Sequence, residues 1–183
     1  PAASPLLEVR DLSMRFGGLL AVDNVNFDVH RDQIFAIIGP NGAGKTTVFN
    51  CVGGFYRPTS GSVTLDGQPI HRLSSHRIAR LGLVRTFQNV RLFKTMTVVE
   101  NLLVSQHTQL ETRLLPGLFK TPKYRRAETE ALERAAFWLD KVGLLQVANR
   151  EAGNLAYGQQ RRLEIARCMI THPKLLMLDE PAA

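Results

Sequence analysis

One segment in the first third of the chain constrains the fold more than any other. Five apolar residues in a row, Ile34–Ile38, precede a glycine-rich stretch, Gly39–Thr47, which reads GPNGAGKTT. A continuous apolar run of this length is typical of a strand that is buried on both faces of a sheet. The residues from Lys45 to Val52 favour a helix. The sequence therefore predicts a strand, a tight turn and a helix in succession, as in an α/β fold.

The glycine-rich stretch has the chemistry of a phosphate-binding loop. Gly39, Gly44, Lys45 and Thr46 match the pattern GxxxxGK[ST] in the strand-to-helix context that this pattern requires. Glycines let the backbone wrap around phosphate groups, with N–H groups aimed inward at the positive end of the helix dipole. A chance glycine-rich turn is the alternative. The residues expected to contact the nucleotide are Gly39, Pro40, Asn41, Gly42, Ala43, Gly44, Lys45, Thr46 and Thr47.

Three side chains at the end of this loop have separate expected roles. Lys45 should reach the β- and γ-phosphate oxygens, as a catalytic residue, and Thr46 should place its hydroxyl on Mg²⁺. Thr47 should contact the α-phosphate side. The cofactors predicted from these residues are ATP and Mg²⁺.

A second element of the sequence carries two acids. Four apolar residues, Leu175–Leu178, run directly into Asp179 and Glu180. Because carboxylates at the end of a buried strand are costly without a partner, these two should have a function. We expect Asp179 to hold Mg²⁺, directly or through water, and Glu180 to polarise the water that attacks the γ-phosphate. The alternative is a solvated loop after a core strand.

The remaining patterns divide the chain into a strand-rich part and a helical part. A capping box at Thr97 and Glu100 predicts a helix as far as Leu110, and apolar residues at helical spacing predict another, with Trp138 packed in the core. The other predicted strands are Leu7–Leu12, Val25–Val29, Ser62–Leu65 and Leu83–Phe87, and the other predicted helices are Ser74–Leu81, Ala127–Val142 and Gln159–Thr171.

Composition argues against several classes of function. Cys51 and Cys168 have no CxxC spacing, which favours small buried thiols over a metal or redox role. No apolar run approaches the roughly 18 residues of a membrane span. The net charge of +7 fits phosphate binding or an anionic membrane face as well as nucleic acid. The basic clusters at Lys120–Arg126 and Arg161-Arg162 offer only Tyr124 to stack on a base, so no nucleic-acid partner is expected.

These motifs, taken in order, resemble the ATP-binding cassette (ABC) family over essentially the whole chain. Phe16 lies where the family has an aromatic residue that stacks on adenine. Gln88 lies at the position of the Q-loop glutamine, which implies a catalytic role, contact with the metal and a link to the helical subdomain. Asp179 and Glu180 match the acidic strand end.

The turn before the last helix matches the family's signature, usually LSGGQ. It consists here of Leu155, Ala156, Tyr157, Gly158 and Gln159. In the family two cassettes bind head to tail, and this turn points at the γ-phosphate held by the other subunit. A helix N-terminus is a ready anion site, so the position makes chemical sense. Ala156 replaces the usual serine and Tyr157 a glycine, so one hydroxyl donor is lost.

The resemblance implies a fold and a division into domains. The expected fold class is α/β, a P-loop NTPase core with a mixed or parallel sheet, flanking helices and an N-terminal antiparallel β portion, plus an inserted α-helical subdomain. Residues 1–88 and 156–183 would form the nucleotide-binding core. Residues 89–155 would form the helical subdomain, with the signature turn at its end.

Further motifs are similar to the ATP-binding subunits of bacterial branched-chain amino-acid importers. Among them are Arg15–Val22, Gly82–Gln88 and Arg161–Arg167. This implies an ATPase at the cytoplasmic face of the inner membrane. Its implied partners are a second ABC ATPase subunit, integral-membrane permease subunits and, indirectly, a periplasmic binding protein. Residues Asn89–Met96 would form the permease-docking surface, or else a subdomain hinge. The alternatives are a soluble ABC-type ATPase not linked to transport, or a nucleotide-binding module without turnover.

In the family the chain continues after Pro181 with a further loop, a core strand and a switch histidine. The resemblance therefore implies that these 183 residues are a fragment of a protein of about 250 residues. On that basis we expect the 183-residue chain alone to bind ATP poorly and to hydrolyse little of it.

Overall fold

The computed structural model describes residues 4–86, 91–106 and 122–179. Its chain divides into two compact units, Pro1–Val84 and Arg85–Ala183. The predicted division into a core and a helical subdomain stays a prediction.

The first unit is built on a four-stranded sheet in the order β2-β1-β3-β4, and every neighbouring pair in it is antiparallel. Its strands are β1 Leu7–Phe16, β2 Leu19–Val29, β3 Ser60–Leu65 and β4 Gln68–Pro69. The predicted N-terminal antiparallel portion is thus confirmed, with strands longer than expected. β1 and β2 pair from Leu7 opposite Val29 to Phe16 opposite Leu19, so Gly17 and Gly18 make the hairpin turn.

Two helices complete the first unit, α1 Lys45–Val52 and α2 Ser75–Arg80. Both were predicted. Helix α1 buries Val48, Cys51 and Val52, and burial raises the pKa of the Cys51 thiol to about 11 because the thiolate would lose its hydration. Cys51 is therefore a packing residue, as its sequence context indicated.

The prediction of a strand at Ile34–Ile38 is wrong. Residues 33–40 have no regular secondary structure, and Ile34 and Ile38 are 99% and 90% exposed. A strand that is buried on both faces needs a hydrogen-bonded strand at each edge and a covering layer on each face. None of the described strands pairs with this segment, although the Phe35 ring stacks on Phe27 of β2 with centroids 5.1 Å apart.

In its described residues, the second unit contains three helices and the end of a two-stranded sheet. Strands β5 Leu83–Arg85 and β6 Leu175–Met177 form the sheet, and the unit boundary falls within β5. The pairing extends past β5, because the Thr86 N–H donates to the Met177 carbonyl at 3.0 Å. The helices are α3 Val98–Gln106, α4 Pro122–Lys141 and α5 Tyr157–Met169, with 3₁₀ turns at Leu145–Val147 and Ala152–Asn154. Residues 107–110 and Phe87 of the predicted elements lie outside the described residues.

Helix α3 begins at the predicted capping box. The Thr97 N–H donates to Glu100 Oε2 at 2.8 Å, and the Glu100 N–H donates to Thr97 Oγ1 at 3.3 Å. These two bonds satisfy N–H groups that the start of a helix otherwise leaves without partners. The hydrogen bonds from Thr97 also hold the pKa of Glu100 below its usual value.

The three helices share one apolar core. Leu102 of α3, Leu139 of α4 and Leu163 of α5 are fully buried in it. Trp138 is partly buried against the same cluster, which confirms its predicted packing role. This core fixes α5, and with it the turn that precedes α5. Within the described residues, no helix combines the length and the apolar content needed to cross a membrane.

Candidate functional site

The glycine-rich loop connects directly to α1 in the first unit. Gly44, the residue before the helix, has φ of 85°, and a Cβ at this position would lie 2.5 Å from the Ala21 carbonyl oxygen. Only glycine tolerates both this conformation and this close approach to β2. The glycine of the predicted motif therefore sets where the first turn of α1 lies.

Lys45 folds back over the loop. Its Nζ donates to the carbonyl oxygens of Gly39 at 2.6 Å and Pro40 at 2.8 Å. Thr46 is exposed in the first turn of α1, and Thr47 is half-buried beside it. The structure thus brings the ammonium group and a helix N-terminus together at the loop. Both attract anions, which is the electrostatic requirement of a phosphate site.

Phe16 has an aromatic neighbour that sequence reasoning missed. The rings of Phe16 and Tyr56 meet edge to face, with centroids 5.3 Å apart and an interplanar angle of 79°. Both rings remain partly exposed. The sequence carried little signal for this pair, because 40 positions separate the two residues and no motif contains both of them. The remaining exposed face of Phe16 is suited to stacking on a flat base.

In the second unit, a buried ion pair holds the side chain of Asp179, just after the last strand. Arg85 Nη2 donates to Asp179 Oδ2 at 2.9 Å, and both side chains are buried. The Asp179 N–H donates to Thr86 Oγ1 at 3.2 Å. The Asp179 side chain is therefore held in place just after β6, where the sequence pattern placed it. Its guanidinium partner was not predicted.

A second arginine reaches the same strand end from α5. Arg161 Nη2 donates to the Asp179 carbonyl oxygen at 2.7 Å, and Arg161 Nη1 pairs with Glu164 Oε2 at 3.0 Å. In the sequence, Arg161 belongs to a basic cluster and to the motif Arg161–Arg167, and neither predicts this contact. Its i,i+3 spacing to Glu164 was the available signal for a pair within the helix. Because its side chain is buried, Arg161 links two elements of the unit and is not offered to an external partner.

Two of the predicted catalytic residues cannot be placed. Gln88 and Glu180 lie outside the described residues. Their roles stay predictions.

Thr46 of the first unit and Asp179 of the second unit each carry an oxygen of the kind that Mg²⁺ accepts as a ligand. Mg²⁺ is usually held by one or two protein oxygens, substrate phosphates and water rather than by a cage of protein ligands. Thr46 offers an exposed hydroxyl, and Asp179 offers Oδ1, since Oδ2 is taken by Arg85. Among the described ranges no group of three or more His, Cys, Asp or Glu side chains could hold a metal ion.

The signature turn is open to solvent. Tyr157 is 58% exposed, and a Cβ added at Gly158 would meet nothing within 4 Å. The Ala156 N–H donates to Gln159 Oε1 at 3.2 Å, which is one half of a capping box. The other half is missing because alanine has no side-chain oxygen to accept from the helix. The turn therefore presents backbone N–H groups at the start of α5 that an external anion can reach.

A glycine-rich loop that leads into a helix, an acidic strand end and an exposed turn at a helix start are features of the ATP-binding cassettes. Residues 22–183 match the family model described as ABC transporter. The chain belongs to this family, and the predicted fold class and ATPase character are confirmed with it.

The most informative relatives are similar along nearly the whole chain. Over 179 residues the chain is 67% identical to the high-affinity branched-chain amino acid transport ATP-binding protein BraF of Pseudomonas aeruginosa. The match covers 98% of this chain and 70% of that protein. It is 64% identical over 181 residues to the protein LivG of Escherichia coli K12, over 99% of this chain and 71% of LivG.

Solved structures of ATP-binding cassettes are also similar to this chain. An ATP-binding cassette of an ABC transporter superposes with a TM-score of 0.82 at 34% identity, over 99% of this chain and 71% of that one. An ADP conformation of such a cassette superposes with a TM-score of 0.81 at 34% identity, over 99% and 70% of the two chains.

The incomplete cap of α5 leads to a prediction about stability. Ala156→Ser should raise the free energy of unfolding by about 1 kcal/mol, because the serine hydroxyl can accept from the N–H of Gly158 or Gln159. Urea titration of the full-length protein measures this change. Ala156→Val is the matched control, since it adds a side chain without an acceptor. Equal stability of the serine and valine variants would show that the cap is already satisfied.

Proposed function

We propose that the chain is the ATP-hydrolysing subunit that energises a bacterial importer of the branched-chain amino acids leucine, isoleucine and valine. The observation that carries this proposal is the identity of 64–67% over 98–99% of the chain to two proteins that are named as ATP-binding subunits for that transport. The nucleotide chemistry of the site is compatible with it.

In this proposal each phosphate-site residue has one task. Lys45, now bonded to Gly39 and Pro40, would also donate to the β- and γ-phosphates. Thr46 and Asp179 would hold Mg²⁺, which neutralises charge on the phosphate oxygens when it is bound. Glu180 would accept a proton from the attacking water, and Gln88 would report the state of the γ-phosphate to the helical subdomain.

The proposed assembly has two cassettes and a pair of permease subunits at the cytoplasmic face of the membrane. The exposure of Tyr157 and Gly158 supports a role toward the ATP of a second cassette. Phe93 and Met96 are large exposed apolar side chains on the segment assigned to permease docking, which supports an apolar contact there. Residues 89–90 of this segment lie outside the described ranges.

Two substitutions in the full-length protein separate nucleotide binding from hydrolysis. Lys45→Ala should weaken ATP binding about 10- to 100-fold, because hydrogen bonds from a charged donor are worth about 1.5–3 kcal/mol. Glu180→Gln should leave ATP affinity unchanged and slow hydrolysis at least about 100-fold, as expected for loss of a general base.

Equilibrium binding of ATP and single-turnover hydrolysis measure the two effects. Lys141→Ala is the control for loss of one positive charge, and it should leave both quantities unchanged. Normal ATP affinity in Lys45→Ala would contradict the phosphate-site assignment. Normal turnover in Glu180→Gln would contradict the assignment of the base.

The pairing of Phe16 with Tyr56 predicts a contribution to base recognition. Tyr56→Ala should weaken ATP binding about 2- to 10-fold, because an edge-to-face pair is worth about 0.5–1.5 kcal/mol and holds the stacking ring in place. Binding of inorganic tripolyphosphate, which has no base, should not change. Tyr56→Phe keeps the edge contact and should behave as wild type. An equal loss of affinity for both ligands would assign Tyr56 to folding rather than to the adenine site.

A further inference from the structure

The open end of the β3–β4 hairpin, in the first unit, contains a pocket to which the proposed function gives no role. Its volume is about 420 Å³, which lies in the range of sites for small molecules. Residues just before and at the start of β3 form one wall, and two residues just after β4 form the other. Among the lining residues are Arg57, Thr59, Ser60, Gly61, His71 and Arg72.

The first wall of this pocket is fixed to β1 through its backbone. The Thr59 N–H donates to the Ser13 carbonyl at 2.9 Å, and Thr59 Oγ1 accepts from the Arg15 N–H at 3.0 Å. Gly61 has φ of 86°, and a Cβ at this position would collide with the Asp11 carbonyl. Because only glycine fits this approach, the chain enters β3 along one path. The wall is therefore formed without a ligand.

The second wall follows a buried residue of the hairpin. Ile70 is fully buried, and its N–H donates to the Val63 carbonyl at 2.8 Å. The His71 ring lies beside the same carbonyl, with Nδ1 3.4 Å from its oxygen. The Leu73 N–H donates to the Ile70 carbonyl at 2.9 Å, which places His71 and Arg72 at the centre of a tight turn. Both residues are thus positioned by the hairpin itself.

The pocket carries positive charge that the surrounding chain does not balance. Between residues 57 and 80 the sequence has four arginines and one acid, Asp66, and Asp66 pairs with Arg31 at 2.5 Å. Within the described residues, neither Arg57 nor Arg72 takes part in an ion pair. Like charges that line one pocket repel each other. An anion bound between the two guanidinium groups would remove this repulsion.

A phosphate monoester is the anion that these groups suit best. Guanidinium groups bind phosphate oxygens through two parallel N–H bonds. A dianion balances both arginines, whereas a carboxylate balances one. The Ser60 hydroxyl supplies a neutral donor at the same pocket. Since none of the described lining residues carries a large apolar side chain, the charged group of a ligand, and not the rest of it, would determine recognition.

We propose that this pocket binds the phosphate monoester group of a ligand through Arg57 and Arg72. None of the lining residues belongs to the glycine-rich loop Gly39–Thr47, so the site is additional to the one expected for ATP. The inference goes beyond the proposed function and does not depend on transport. Two sources carry such a group, a soluble phosphate ester and the headgroup of phosphatidic acid in a membrane.

Nuclear magnetic resonance of the full-length protein tests the proposal with glycerol 3-phosphate as the probe. Mg²⁺ and a non-hydrolysable ATP analogue are present at saturation, so that the glycine-rich loop is occupied. The amides of residues 59–61 and 71–72 should shift along one saturable curve. Glycerate, a monoanion of similar size, should bind at least about fivefold more weakly, because it leaves one arginine unbalanced. Shifts confined to residues 39–47, or equal affinity for the two probes, would overturn the proposal.

Three single substitutions separate the pocket from general charge attraction. Arg57→Gln and Arg72→Gln should each weaken glycerol 3-phosphate binding at least about fivefold, because each removes a charged donor. Arg77→Gln is the matched control, since it removes the same charge from α2, outside the pocket lining. Its affinity should stay within about twofold of wild type. All three side chains are exposed, so the variants should fold. An equal loss in all three, or no loss in the first two, would contradict the assignment.

Sedimentation with vesicles distinguishes the two sources of the ester. If the ligand is a lipid, phosphatidylcholine vesicles that contain phosphatidic acid should carry down the wild-type and Arg77→Gln proteins but not the double variant Arg57→Gln, Arg72→Gln. No sedimentation, together with binding of glycerol 3-phosphate, would identify a soluble ester. Both results support the pocket. Binding of neither the soluble probe nor the vesicles would overturn it.

Discussion

The second unit depends on a buried arginine that joins its signature helix to its acidic strand. Arg161 donates to the backbone carbonyl of Asp179 and pairs with Glu164, away from solvent. Removing one partner of such a buried arrangement leaves an uncompensated charge, which costs about 3–5 kcal/mol. The helix that begins with the signature turn and the strand that runs into Asp179 are thus held at one separation. The apolar core of α3, α4 and α5 keeps that arrangement in place.

The signature turn departs from the family pattern in composition but lies exposed at the start of a helix. Ala156 offers no hydroxyl, and only Gln159 caps the helix start. Tyr157 and Gly158 remain exposed, so the backbone N–H groups and the helix dipole are available to an anion on a facing surface. The alanine lowers the stability of the helix start and removes one donor. The turn remains exposed to solvent at residues 156–158.

Local features of this chain could be predicted from sequence, and long-range ones could not. The capping box at Thr97, the helix after Lys45 and the turn at Gly158 depend on neighbours within a few residues. The apolar run at Ile34–Ile38 identifies a strand only where other strands pair with it, and the described residues supply none. The partners of Asp179 were missed for a similar reason, since Arg85 lies 94 positions away.

The central claim is that the signature turn serves the nucleotide of a second cassette. Replacing Tyr157 with a photoreactive phenylalanine in the full-length protein, followed by irradiation and peptide mapping, tests it directly. With ATP and Mg²⁺ present, the account predicts a cross-link between two chains that joins position 157 to residues 39–47 of the partner, and little cross-linking without nucleotide. A cross-link confined to one chain, or one whose yield does not depend on ATP, would contradict it.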